Sequence, residues 1–99
     1  MQSHYADTFE RDMGCTETEW LGWLPAALGA NAWQRDGACV RAVIGPGSLQ
    51  IDWQPAPPRV IGLARIPRLL VRFVFAGLND AQRYSFMKRF DLYMQRGGG

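Results

Sequence analysis

The stretch that most narrows the choice of fold is residues 59–75, RVIGLARIPRLLVRFVF. It is the longest run rich in β-branched and aromatic residues, the types that suit a pleated, half-buried surface. Side chains alternate across a strand. Over 69–75 this puts Leu69, Val71, Phe73 and Phe75 on one face and Arg68, Leu70, Arg72 and Val74 on the other. The pattern predicts two strands, 60–64 and 69–75, separated by Arg65-Ile66-Pro67-Arg68, with Pro67 in a tight turn or at a bulge of one long bent strand. Three arginines among so many apolar residues are unusual for a core strand and call for a physical account.

The rest of the chain arranges itself around that sheet. Residues 1–15 show no period and read as a loose lead-in. Thr16-Glu17-Thr18-Glu19 fits a capping box, with the Thr16 hydroxyl accepting from the Glu19 amide and the Glu19 carboxylate reaching back. Trp20, Trp23, Leu24, Ala27 and Leu28 follow at helical spacing. Pro25 predicts a kink or a restart, and Gly29 or Asn31 an end. Asp36-Gly37 marks a turn. Strands over 39–44 and 49–53 flank Gly45-Pro46-Gly47-Ser48, read as a four-residue loop around a type II turn. That loop would set Ile44 opposite Leu49, Ala42 opposite Ile51, Val40 opposite Trp53, and Arg41 opposite Asp52 as a cross-strand ion pair. Pro55, Pro57 and Pro58 predict a break in the sheet. Asn79 with Gln82 fits a second capping box, and Phe86, Met87, Phe90, Tyr93 and Met94 then fall on one stripe. Arg83 falls in that same arc and Leu92 opposite it.

These elements predict a single α+β domain over 1–99: an antiparallel sheet of three or four strands with an N-terminal and a C-terminal helix packed on it, in the order α-β-β-β-β-α. Residues 97–99 read as a flexible glycine tail. At 99 residues and 47% apolar composition the chain suits one modest core. There is no apolar run of transmembrane length and no secretory leader pattern, so a cytoplasmic protein with free thiols at Cys15 and Cys39 is expected.

The charge is unevenly spread. Residues 1–36 carry Asp7, Glu10, Asp12, Glu17, Glu19 and Asp36 against Arg11 and Arg35, a net of −4. Residues 37–99 carry nine basic groups against Asp52, Asp80 and Asp91, a net of +6. Either the acidic front packs on the basic back, or the back presents a basic face to an anionic partner. An arginine in an apolar arc cannot stay unpaired when buried. Arg83 must therefore meet a carboxylate, carbonyl groups or a bound anion, or reach solvent. One expectation is internal pairing with Asp36, Asp52 or an N-terminal acid. The other is an anion- or partner-binding patch of Arg65, Arg68, Arg72 and Arg83, suited by its forked donors to a phosphate-bearing ligand or an acidic protein.

No catalytic or metal constellation is legible. The lone His4 excludes histidine-rich sites, and no cofactor is expected. Glu17 and Glu19 would raise the Cys15 pKa rather than activate the thiol, so a small enzyme or enzyme subunit is a lesser reading. The α-β-β-β-α order, with Arg83, Lys88 and Arg89 on the last helix, resembles double-stranded RNA-binding domains over about residues 16–96, which would imply contact with nucleic-acid phosphates. The Gly97-Gly98-Gly99 end resembles ubiquitin-like sulfur carriers, which would imply activation of the C-terminal carboxylate; the alternation of Phe90, Leu92 and Met94 would then make a terminal strand. The favoured reading is a non-catalytic binding or assembly module. Its twelve aromatics leave Leu92, Tyr84 and one or two tryptophans as an interface patch, and a homodimer is the simplest use of such a patch, with no membrane partner.

Overall fold

The computed structural model describes residues 4–96, without side-chain detail at 95 and 96. Its elements run β1 (Thr8–Met13), α1 (Glu17–Leu28), β2 (Trp33–Asp36), β3 (Cys39–Ile44), β4 (Gly47–Ile61), β5 (Ala64–Ala76) and α2 (Asp80–Arg96). The class is α+β, but the antiparallel sheet has five strands rather than three or four, in the order β1-β5-β4-β3-β2. Both helices cover one face of the sheet, so inward side chains of β3, β4 and β5 meet them in a single core. At its centre Trp20 tilts against Trp53 and Phe90, and Phe73 meets Phe90 edge to face.

Both helix starts follow from local chemistry. Thr16 accepts from the Glu19 amide at 3.1 Å while Glu19 accepts from the Thr16 amide at 2.9 Å. Asn79 and Gln82 exchange the equivalent bonds at 2.9 Å each. Pro25 does not split α1, which runs unbroken through it. The helix ends at Gly29, whose φ of 65° and ψ of −136° lie in territory that only glycine enters freely. The Arg89 guanidinium lies against Gly29 where a Cβ would stand. A cation from α2 thus sits at the negative end of α1, whose own last turn has no basic residue.

The N-terminal stretch forms β1 rather than a loose lead-in. Its alternation was masked because the central inward residue is Arg11, between Phe9 and Met13. Arg11 lies over the rings of Tyr5, Phe9 and Phe73 at 5.6–5.7 Å. Its guanidinium forks onto both carboxylate oxygens of Asp91 in α2, and the Tyr5 hydroxyl donates to the same carboxylate at 2.8 Å. Burial works against the Arg11 charge, but the bonds to Asp91 outweigh it and leave the Arg11 pKa raised. The Tyr5 pKa is also raised, first by burial and then by the Asp91 hydrogen bond.

The β3–β4 hairpin differs from its expected register. Its loop is two residues, Gly45-Pro46, with Gly45 at φ 53°. A positive φ at the first loop position suits a type II′ turn. Ile44 therefore opposes Gly47, Ala42 opposes Leu49, Val40 opposes Ile51, and Arg41 opposes Gln50, while Asp52 faces Cys39. The slip is by two residues, which leaves every side chain on its expected face. The prolines do not break the sheet either. β4 runs on to Ile61 and pairs with β5 around Gly62-Leu63, with Pro57-Pro58 as a bulge between Ala56 and Arg59 and with Pro67 inside β5.

Candidate functional site

β3 leaves β4 after Cys39 opposes Asp52, and β1 leaves β5 after Met13 opposes Leu69. Beyond those points β4 and β5 continue alone as a two-stranded ribbon of residues 54–68. Prolines are compatible with it for a simple reason. The Trp53 amide points at β3, where it donates to Ala38, and the Phe75 amide points at β1, where it donates to Asp7. By alternation, Pro55 and Pro67 stand where an amide would point outward past the ends of β3 and β1. Their missing donors cost no ladder bond, and they blunt both ribbon edges against strand addition.

Among the described residues the ribbon carries the most prominent exposed apolar groups. Val60 and Ile61 are 60% and 58% exposed, Leu63 is fully exposed at the turn, and Ile66 is partly so. In register, Arg59 faces Ile66, Val60 faces Arg65, and Ile61 faces Ala64. Alternation along β5 places Arg59, Ile61, Ala64 and Ile66 on the side that continues the helix-free face of the sheet. Val60 and Arg65 occupy the opposite side. No acidic residue lies between Asp52 and Asp80, so the ribbon is wholly basic.

At the ribbon's base, on the helix-free face, lies a shallow groove of about 360 Å³ lined by Glu10, Asp52, Gln54, Leu70 and Arg72, with backbone from Trp53 and Val71. Glu10 opposes Arg72, which opposes Asp52, across β1, β5 and β4. Asp52 accepts a 3.0 Å bond from Gln50, and Glu10 makes no ion pair within 4.0 Å among the described residues.

The four arginines expected to form one anion patch are dispersed. Arg68 donates to Asp12 at 2.7 and 3.0 Å and to the Pro57 carbonyl at 3.3 Å, which braces the ribbon's base against the end of β1. That bonding holds the Asp12 pKa below its ordinary value. Arg83 satisfies itself on the Tyr5 and Leu78 carbonyls at 2.8 and 2.7 Å, with Asp80 at 3.7 Å. Arg65 and Arg72 are exposed, one on the ribbon and one on the helix-free face, and neither makes an ion pair within 4.0 Å among the described residues. Sequence reasoning missed Arg59, Val60, Ile61 and Leu63. The signal was present in Gly62, whose φ of 59° makes the turn, preceded by two β-branched residues.

The aromatic side chains are not the exposed patch. Tyr84, Trp23 and Trp33 are half-buried against the core, and only Leu92 of the expected group is exposed. Cys15 is buried and Cys39 half-buried. Burial raises both thiol pKa values, helped by Glu19 at Cys15 and by Asp52 at Cys39, which disfavours nucleophilic thiolates. Among the described residues no cluster of three His, Cys, Asp or Glu could hold a metal, and no helix is long and apolar enough to cross a membrane. The RNA-binding order α-β-β-β-α is not the order observed, since a strand precedes α1 and four follow it. Residues 80–96 are helical rather than a terminal strand, and the Gly97–Gly99 tail lies outside the described residues. No protein-family model matches the chain, and no curated protein or solved structure is detectably similar to it.

Proposed function

We propose that this chain is a non-catalytic binding and assembly module whose contact element is the β4–β5 ribbon. The supporting observation is the ribbon itself: strands that outrun both neighbours, with Val60, Ile61 and Leu63 exposed on an acid-free stretch carrying Arg59 and Arg65. Large apolar side chains exposed together at the end of a projecting arm favour contact with another molecule. The proposed partners are a second copy of the chain and, at the arginines, an acidic or phosphate-bearing group. Arg65 and Arg72 are the members of the arginine set best suited to the anion, because Arg68 and Arg83 are already engaged within the fold. Sulfate or phosphate should then raise the melting temperature more than chloride at matched ionic strength. Arg65→Met combined with Arg72→Met should remove that difference. An anion effect left intact in the double variant would refute the arginine assignment.

A further inference from the structure

The ribbon and the groove at its base are complementary, and both belong to the helix-free side of the molecule. We propose that two copies pair helix-free side to helix-free side with their ribbons antiparallel, each tip lying over the other's groove. This rests on the reading of the ribbon as the contact element and names its partner.

Four observations carry it. First, Ile61 and Ile66 lie on the helix-free side of the ribbon with Leu63 at the turn, and Leu70 supplies the apolar side chain of the groove. Second, the spacing is self-consistent. Ala64 and Leu70 are six residues apart on β5, roughly 20 Å at strand rise. A two-fold axis passing near Pro67, midway between them, sets the tip of each ribbon over the groove of the other. Both contacts then form at once, as an isologous interface requires. Third, the ribbon edges are blunted by Pro55 and Pro67, so face-to-face side-chain contact is favoured over the addition of a strand. Fourth, the charges complement one another. On the helix-free side the ribbon presents Arg59, whose side chain is 59% exposed beside its 3.4 Å contact with Asp12, and no acid, while the groove presents Glu10 and Asp52 on either side of Arg72. A basic apolar ribbon meeting a groove whose Glu10 makes no ion pair within 4.0 Å among the described residues is attractive between copies, and salt weakens it.

The experiment is sedimentation velocity in chloride buffer at roughly 50 µM, where a micromolar dimer is largely filled. The wild type should sediment as a dimer. Ile61→Asp with Leu63→Asp, a tip variant changed only at exposed positions, should be monomeric. A groove variant, Leu70→Asp, should be monomeric too, with Glu10→Arg as a second groove variant should Leu70→Asp fail to fold. An equimolar mixture of tip and groove variants should recover a dimer, because one wild-type tip then faces one wild-type groove. A tip-to-tip dimer cannot be rescued this way. A monomeric wild type, a tip variant that still dimerises, or a mixture that stays monomeric would overturn the proposal. Such results are distinguishable from failure of the arginine assignment, which is read from the sulfate response of Arg65 and Arg72.

Discussion

Replacing Asp91 by Asn breaks the link between the first strand and the last helix without changing side-chain shape. Asp91 takes both prongs of the Arg11 guanidinium and the Tyr5 hydroxyl. The two charged side chains are 22% and 24% exposed, so the pair is neither a surface bridge nor fully buried. Surface pairs contribute about 0.2–1 kcal/mol. Removing one member of a buried pair costs about 3–5 kcal/mol. The partial burial, with three hydrogen bonds to one carboxylate, places Asp91→Asn between them, at about 2 kcal/mol. In a domain of this size that corresponds to a fall of roughly 8–16 °C in melting temperature. Arg11→Met keeps the apolar stem that packs among Tyr5, Phe9 and Phe73, so it isolates loss of the charge. Urea denaturation of both single variants and the double variant closes a thermodynamic cycle. The coupling should be about 1–3 kcal/mol, and a value under about 0.5 kcal/mol, the scatter of independent sites, would refute this account of what holds β1 on the fold.

Two further outcomes test the same architecture. Gly29→Ala should destabilise by about 1–3 kcal/mol, because alanine is strained at that φ and its methyl displaces the Arg89 guanidinium; a denaturation midpoint equal to wild type would contradict the cap assignment. The raised Tyr5 pKa means the folded state holds the phenolic proton more tightly than the unfolded chain, whose ordinary value is 10.0. The resulting stability is complete below that value and is lost as pH rises through the folded-state pKa. The stability gap between wild type and Tyr5→Phe should therefore hold below pH 10.0 and narrow as pH rises above it, and a constant gap there would show that the Tyr5 hydroxyl does not ionise differently in the two states.

The candidate site was only partly legible. The arginines were conspicuous, but their fates depend on groups remote in sequence: Asp12 for Arg68, and the Tyr5 carbonyl for Arg83. The prolines at 55–58 read as a break because proline is excluded from central strands. Only the early ends of β1 and β3 make those positions edges, and no local signal reports where a neighbouring strand stops.

What the sequence by itself determined was set within a few residues. Thr16 and Asn79 start the helices, Gly29 or Asn31 ends the first, and the apolar stripes choose the buried faces. Alternation likewise assigned the strand faces correctly, even where the hairpin register slipped by two, because a shift of two preserves them. Tertiary structure decided the rest. The choice between Arg41 opposite Asp52 and Arg41 opposite Gln50 rested on a two-residue turn and on Gly47, which lies so close to Ala76, Gly77 and Leu78 that a Cβ would collide. β1 pairs with β5, and a carboxylate from α2, 80 residues along the chain, neutralises its inward arginine. The ribbon projects because the flanking strands are shorter than the two they flank. Each of these is a pairing between distant segments, and its free energy appears only once the chain has closed on itself.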